Sequence, residues 1–514
     1  MQLSHTLPVA SAVFDEPNLV SSAGLLPLMA LAQPSRLRAL ADERLSVPTD
    51  KGANAGLKLS SLVAGMAAGA DSIEDMALLR HGGMGRVFTG AYAPSTLGSF
   101  LRSFTFGHVR QLDAVASRFL LNLAEHTELV GGIEDSGTVH VDLDDTIVEV
   151  HGYSKQGAAF GYSGVRGLNA ALATVSTEAE APVIAAQRLR KGSAGSARGA
   201  ARLATDALAL IRRTSLAGRA VLVRADSAFY SHALVTAVLK AGADVSITVR
   251  MDPAVKRAIA AVAEDAWTTI KYTDAIYDQT TGSWVSKAQV AEVPFTAFTS
   301  KKKIEQITGR LVVRRIPELN PKKADGQETL FDTWRFHAFF TTTATDAPDT
   351  VAADQTHRRH AIIKNVHADL KASALAHLPS GVFTANAAWL VCAVMSFNLT
   401  RAAASVTTTP ALARAATTTI RRKLINVPAR IATSARRLRL HLPTDWPWEQ
   451  AWSALYRVVL PARAPATRTS PPPLRGATSV EMPGRPAASS RPGGGTATPL
   501  ELTGNAAVHR WIEA

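Results

Sequence analysis

The chain has 514 residues, of which 46% are hydrophobic and 19% charged, so it can form about three domains with apolar cores and is not disordered overall. Its single cysteine, Cys392, excludes a disulfide framework and a thiolate zinc site. Most of the net charge of +14 lies in residues 401–514, which hold 16 basic and 5 acidic residues. Nucleic acid is the simplest partner for such a region, although a generally basic composition would give the same bias without a partner.

Targeting and membrane signals are absent from the sequence pattern. No N-terminal segment looks like a secretion signal, and no apolar run reaches about 18 residues. We therefore expect a cytoplasmic protein that does not contact a membrane. Apolar spacings of three and four residues predict helices over 25–45 and 57–79, and another helix starting near Ser95. Residues 1–132 are thus predicted to form a helical N-terminal domain.

The pattern changes to alternating apolar residues at Thr138, which predicts a strand over 139–143 and a second strand over 147–150. Further strands are predicted over 168–175, 182–189, 220–223 and 244–249, and helices over 199–213 and 232–241. This mixture predicts an α/β domain over 133–250. A β-rich insertion is predicted over 251–346, followed by helices of the same domain over 347–405.

The C-terminal part of the chain divides into two segments. Residues 406–460 carry the basic runs Arg421–Lys423 and Arg436–Arg439 and are predicted to form a helical basic region. The last 54 residues, 461–514, contain 9 Pro and 6 Gly without an apolar period. This tail is predicted to be disordered.

Three carboxylates, Asp142, Asp144 and Asp145, crowd the end of the first predicted strand. Because neighbouring carboxylates repel one another, the cluster indicates a bound cation or substrate, and a solvated strand end is the alternative. The spacing Asp-x-Asp-x-Thr resembles phosphatases of the haloacid dehalogenase superfamily, with Asp142 as nucleophile and Asp144 as acid and base. The later Lys and acidic pair of that superfamily have no convincing match here, so this stays the alternative hypothesis.

The leading hypothesis is a metal-dependent nuclease or transposase with a ribonuclease-H-like fold. That fold has one Asp in its first strand and a second Asp after its fourth strand. Asp226 follows the strand predicted at 220–223 and lies 82 residues after Asp144, which leaves room for three strands and one helix. Two such carboxylates can bridge two Mg²⁺ or Mn²⁺ ions about 3.5–4 Å apart, which activate a water or 3′-hydroxyl and stabilise the leaving oxygen.

Several motifs make the resemblance specific. They are Asp144–Thr146, Glu149–Gly157, Gly161–Gly164, Arg224–Tyr230, His357–His360, Ala368–Lys371, Leu375–Gly381 and Phe383–Trp389. Over roughly residues 20–460 the chain resembles bacterial insertion-sequence transposases of the DDE type, the "Transposase DDE domain group 1" or "IS thirteen-eighty" kind. The resemblance implies a DNA-binding N-terminal domain, catalytic Asp144 and Asp226 with two Mg²⁺ or Mn²⁺ ions, and cut-and-paste transfer of terminal inverted repeats into target DNA. It also implies a homodimeric synaptic complex associated with the nucleoid.

The third acid of such transposases lies in a signature of Tyr, Arg, Glu and Lys separated by two, three and six residues. On this chain the signature falls on His357, His360, Lys364 and Lys371, so a lysine occupies the glutamate position. An ammonium group there would repel a divalent cation. This copy is therefore expected to be catalytically impaired, and a DNA-binding derivative without activity is an alternative.

The same residues, with His367, are spaced so that a continuous helix would carry all five on one polar stripe. We predict that His357, His360 and Lys371 contact DNA phosphates, and a solvated helix face is the alternative. His357 and His360 could also ligate a metal.

Two further groups of residues remain to be assigned. Neither Asp354 nor Asp369 is expected to replace the glutamate, because Asp354 precedes the helix and Asp369 points about 140° away from Lys364. Trp267, Trp284 and Trp334 of the β-rich insertion are candidates for stacking on a flipped base. Core packing is the more common role for a tryptophan.

Overall fold

The computed structural model describes residues 12–127, 129–130, 137–152, 154–271, 276–278, 283–285, 288–317, 334–344, 349–407, 409–434 and 437–460. For Thr49, 276–278, 283–285, Pro317, Ser434 and Arg437 only the backbone is described. The predicted disordered tail, 461–514, lies outside these ranges.

The N-terminal part is helical, as predicted. It contains β1 (Leu19–Val20), α1 (Leu25–Ala32), α2 (Leu37–Arg44), α3 (Thr49–Gly52), α4 (Ala55–Ala68), a 3₁₀ helix (Glu74–Leu79), α5 (Met84–Val87), α6 (Pro94–Arg102) and α7 (Phe106–His126). The helix predicted over 25–45 is interrupted, because Pro34 has no N–H with which to continue α1. The chain turns through Arg36, whose φ of 62° lies in the left-handed region, before α2 begins.

The central part of the chain forms a mixed sheet with helices packed on it. Its elements are β2 (Val139–Glu149), β3 (Ala159–Phe160), β4 (Arg166–Ser176), β5 (Val183–Lys191), α8 (Ala200–Ile211), β6 (Val221–Ala225), α9 (His232–Lys240), β7 (Asp244–Thr248) and α10 (Pro253–Ala260). The two strands predicted over 139–143 and 147–150 are one continuous strand, β2. The predicted α/β class is confirmed.

The order of the central strands is β5-β4-β2-β6-β7, so β2 is flanked by antiparallel β4 and parallel β6. The register of β2 and β6 places Asp142 beside Arg224 and Leu143 beside Ala225. The next residue on each strand is an aspartate, Asp144 or Asp226. The two aspartates therefore follow the last paired residues of β2 and β6, although β2 itself continues to Glu149 beside β4.

The segment predicted as a β-rich insertion contributes strands to this same sheet. They are β8 (Thr268–Thr269), β11 (Gln289–Ala297), β12 (Ile307–Pro317) and β13 (Trp334–Thr341), while β9 (Ile276–Asp278) and β10 (Ser283–Val285) pair with each other. β13 runs antiparallel to β7, with Phe340 beside Ile247. The inserted strands thus extend the sheet beyond β7.

The remaining elements follow the sheet. They are α11 (Thr350–Arg358), a 3₁₀ turn (Arg359–Ala361), α12 (Ile362–Lys371), α13 (Phe383–Ser405), α14 (Pro410–Ala413), α15 (Thr417–Ile420), a π-helical turn (Arg421–Ile425), β14 (Ala429–Ser434), β15 (Arg437–His441) and α16 (Glu449–Val459). The prediction of an entirely helical region over 406–460 is wrong for β14 and β15, which form a hairpin against β1. Apolar residues at alternate positions of β14, such as Ile431, pack in the main core and favour the strand.

Helix α13 passes through the centre of the protein. It is long and apolar enough to cross a membrane, but its whole apolar window is buried inside the fold. Asn398 on this helix accepts a hydrogen bond from the Ile184 backbone N–H (3.0 Å) and donates one to the Ile184 carbonyl (2.9 Å). α13 therefore packs as a core helix against the β5 side of the sheet.

Candidate active site

Asp144 lies in the middle of β2, and Asp226 is the first residue after the neighbouring parallel strand β6. The Asp144 side chain is 14% exposed, and its Oδ1 accepts a hydrogen bond from the Asp145 backbone N–H at 2.8 Å. Burial raises the pKa of Asp144 to about 6, and the negative charges of Asp226 and Asp145 add to this effect. Asp226 is exposed, and its Oδ1 accepts from the Ala228 backbone N–H at 3.0 Å. The structure therefore brings the two predicted catalytic carboxylates into mutual electrostatic contact.

Asp145, the third carboxylate of the cluster, has a different partner. It forms an ion pair with Arg190 of β5, whose Nε donates to Asn169 Oδ1 at 2.9 Å. Because this guanidinium neutralises Asp145, only Asp144 and Asp226 remain as a carboxylate pair in need of a cation.

Asp142 is completely buried and holds the elements below the carboxylate pair together. Arg224 donates to both of its oxygens, from Nε at 2.7 Å and from Nη2 at 2.8 Å, and His360 Nδ1 lies 3.0 Å from Oδ1. Burial alone would raise the pKa of Asp142, but the His360 hydrogen bond and the Arg224 charge outweigh it and lower the pKa. Arg224 also donates from Nη1 to the Thr356 carbonyl at 2.6 Å. A carboxylate with 0% side-chain exposure and these partners cannot reach a substrate, so the phosphatase alternative is not favoured.

The predicted polar stripe over 357–371 is wrong as a single surface, because the 3₁₀ turn at 359–361 separates α11 from α12. His357 points between β7 and β13, where its ring nitrogens lie 2.8 Å from Ser246 Oγ and 3.0 Å from Thr248 Oγ1. Its ring stacks on Phe339 with the centroids 4.0 Å apart, and burial lowers its pKa to about 3. His357 is therefore a neutral packing residue. Its position favours neither the predicted contact with DNA nor a metal site shared with His360.

The other residues of the predicted stripe separate into a buried pair and an exposed pair. His360 and His367 are buried, whereas Lys364 and Lys371 are exposed on α12. Lys364, at the expected position of the third acid, places an ammonium group rather than a carboxylate on this helix. Of the predicted phosphate contacts, only Lys371 has the exposure that the role requires.

Neither of the two alternative acids takes the place of the glutamate. Asp369 is buried and accepts hydrogen bonds from the Thr417 backbone N–H and hydroxyl, both at 2.7 Å. Asp354 is buried and forms an ion pair with Arg314 at 3.3 Å. Within the described ranges, no three His, Cys, Asp or Glu side chains already stand in a metal-coordinating arrangement.

Two of the three candidate tryptophans sandwich an arginine. The Arg315 guanidinium lies 4.3 Å from the Trp267 ring centroid and 4.5 Å from the Trp334 ring centroid. Arg315 also pairs with Glu264, with Nη1 2.9 Å from Oε2. This arrangement favours packing over base stacking for both rings, and the Trp284 side chain lies outside the described residues.

Sequence reasoning missed the network of Asp142, Arg224 and His360. The sequence held a signal for this network. Asp142 stands two residues before Asp144, and Arg224 stands two residues before Asp226, a spacing that places side chains on one face of a strand. Recognising the partnership required the register of β2 and β6. The position of His360 required the 3₁₀ turn, which the apolar pattern does not reveal.

No curated protein is significantly similar to the chain. Residues 7–463, nearly the whole length, match the sequence model of the family described as "Transposase DDE domain group 1". This match favours neither the phosphatase hypothesis nor the hypothesis of a protein that only binds DNA. The chain belongs to this family of DDE transposases.

Proposed function

We propose that the chain is a DNA transposase that binds the terminal inverted repeats of an insertion sequence, cleaves the DNA beside them and joins the freed ends to target DNA. The observation that carries the proposal is the pair Asp144 and Asp226 on adjacent parallel strands in a chain of the DDE transposase family. β2 lies between β4 and β6, the arrangement that the ribonuclease-H-like interpretation requires for these two carboxylates to meet. This supports a catalytic domain made of 133–250 and 347–405.

The carboxylate pair fits a divalent cation, because a cation would offset the repulsion between Asp144 and Asp226. Bound Mg²⁺ or Mn²⁺ would supply Lewis-acid polarisation of the scissile phosphate and of the attacking hydroxyl. The chain's own contribution is to hold the two carboxylates beside each other where the pairing of β2 with β6 ends. Arg224 and Asp142 fix the relative position of β2 and β6 directly beneath them.

Double-stranded DNA is the proposed partner, first as terminal inverted repeats and then as target. Exposed lysines on α12, Lys364 and Lys371, lie on the helix that packs against β2 and are suited to phosphate contact. The helical N-terminal domain and the basic region 406–460 supply further DNA contacts. A homodimer would hold two transposon ends together, and the site of action is the bacterial nucleoid in the cytoplasm.

The test uses a duplex carrying the inverted repeat that flanks the gene. Asp226→Ala should bind this duplex nearly as tightly as the unaltered chain, because cationic side chains make the phosphate contacts, but should lose Mn²⁺-dependent cleavage. Asp265→Ala, which removes an exposed carboxylate from the 251–346 segment, is the matched control and should change neither property. Full cleavage by Asp226→Ala, or loss of phosphomonoester turnover on Asp142→Ala alone, would contradict the proposal.

A further inference from the structure

His367 of α12 is a buried imidazole whose nitrogens make no hydrogen bond. The residue is 6% exposed, and within the described part of the chain neither Nδ1 nor Nε2 has a hydrogen-bond partner of acceptable geometry, although the Asp144 main chain lies beside the ring. Leaving a buried polar group unpaired costs roughly 1–3 kcal/mol. An unpaired buried polar atom is explained by local strain, a bound water, a bound ion or a catalytic role.

The spacing between His367 and Asp144 suits a shared cation better than a direct contact. His367 Nε2 lies 3.9 Å from Asp144 Oδ2, which is too long for a hydrogen bond. Two atoms bound to one transition-metal cation, at about 2.0–2.1 Å for nitrogen and about 2.0–2.2 Å for oxygen, can be separated by up to about 4.3 Å. A cation therefore fits between this imidazole and this carboxylate without a large movement of the backbone.

His360 has a second buried ring nitrogen without a hydrogen-bond partner among the described residues. Its Nδ1 is 3.0 Å from Asp142 Oδ1, so Nε2 is the ring nitrogen that remains for another partner. Metal-ligating histidines are commonly oriented by such a carboxylate. Asp144 and His367 both lie within electrostatic range of the His360 ring.

We propose that His367 and His360 are nitrogen ligands of the cation held by Asp144 and Asp226, in place of the third carboxylate that Lys364 has removed. The inference rests on the proposed function, because it takes the two aspartates as metal ligands. Within the described ranges no three of these side chains stand at coordinating distances, so Asp144, Asp226, His360 and His367 would have to move closer together to hold a cation.

Replacing a carboxylate ligand by neutral imidazole changes the preferred ion. The site loses one negative charge and gains nitrogen donors, which suit Zn²⁺, Ni²⁺ and Co²⁺ better than Mg²⁺. Mn²⁺ binds both carboxylate oxygen and imidazole nitrogen, and it resembles Mg²⁺ in size and charge. The site should therefore bind Mn²⁺ and Co²⁺ more tightly than Mg²⁺.

The test is pulsed electron paramagnetic resonance on the untagged full-length chain loaded with Mn²⁺ alone. The unaltered chain should show nitrogen coupling to the bound ion, and incorporation of ¹⁵N-histidine should change that coupling to the ¹⁵N pattern. His367→Ala should weaken the coupling and raise the Mn²⁺ dissociation constant by at least about 10-fold, the smallest effect typical even of groups that only orient a ligand. His126→Ala, which removes an exposed histidine at the end of α7, is the matched control and should change neither.

The outcomes separate this inference from the proposed function. Mn²⁺ binding that requires Asp144 and Asp226 but shows no histidine nitrogen would overturn the inference and leave the carboxylate site standing. Mn²⁺ binding unaffected by Asp226→Ala, or no binding at all, would overturn both. The isotope experiment needs no substitution, so its result holds even if His367→Ala fails to fold.

Discussion

Replacing Arg224 by methionine should destabilise the protein strongly, because it leaves the buried charge of Asp142 with His360 as its remaining side-chain partner. Arg224 and Asp142 have side-chain exposures of 2% and 0%, and the guanidinium donates twice to the carboxylate and once to the Thr356 carbonyl. Breaking a buried ion pair by removing one partner costs about 3–5 kcal/mol. With three hydrogen bonds lost, we expect a loss of about 4 kcal/mol for Arg224→Met.

The assay is thermal unfolding followed by circular dichroism. A loss of about 4 kcal/mol corresponds to a midpoint lower by about 8–16 °C for a cooperative unit of 150–250 residues. The double variant Asp142→Leu with Arg224→Met removes both charges and should recover roughly half of that loss, while His360 still lacks its partner. A single variant within 3 °C of the unaltered chain, or a double variant less stable than the single one, would refute the reasoning.

Three further predictions follow from the site, the charge distribution and the buried histidines. In Mg²⁺, the Lys364→Glu variant should cleave terminal-repeat DNA faster than the unaltered chain, with little change in DNA affinity. Robust cleavage by the unaltered chain in Mg²⁺ would show that the site lacks no acid. Deleting the Arg421–Arg439 region should reduce the slope of log affinity against log salt more than truncation at Pro461, and equal effects would exclude a special contact by that region. His357 has a pKa of about 3 in the folded chain, below its unfolded value, so its contribution to stability is present above about pH 6.5 and is lost as the pH falls toward 3. Thermal unfolding at several pH values measures this effect. The loss of stability between about pH 6.5 and pH 3 should be smaller for His357→Gln than for the unaltered chain, and an unchanged pH dependence would contradict the role of His357.

The sequence predicted the parts of the fold that depend on local pattern. Alternating apolar residues located β2, β4, β5 and β6. An aspartate within β2 and another directly after β6 correctly placed Asp144 and Asp226 beside each other. Local pattern also placed α8 and α9 within two residues of their observed ends.

The remaining features depend on contacts between distant segments. The 3₁₀ turn at 359–361 lets His360 reach Asp142, which lies 218 residues earlier, and no local propensity encodes that contact. The β14–β15 hairpin pairs with β1 at the other end of the chain. The basic sequence of 406–460 does not reveal this long-range pairing, and it therefore favours a helix over the strands that form. Even the orientation of His357 is set by Ser246 and Thr248 on β7.

The central claim is that Asp144 and Asp226 form the cation site of a DNA-cleaving enzyme. Its most direct test is single-turnover cleavage of terminal-repeat DNA in Mn²⁺, with the strand break mapped at the repeat boundary. We expect the unaltered chain to cleave at the repeat boundary, and Asp144→Asn to lower the cleavage rate by more than about 100-fold. Loss of a direct metal ligand should cost at least as much as loss of a group that only orients a ligand. DNA binding should persist in this variant. Cleavage by Asp144→Asn at the rate of the unaltered chain would contradict the claim.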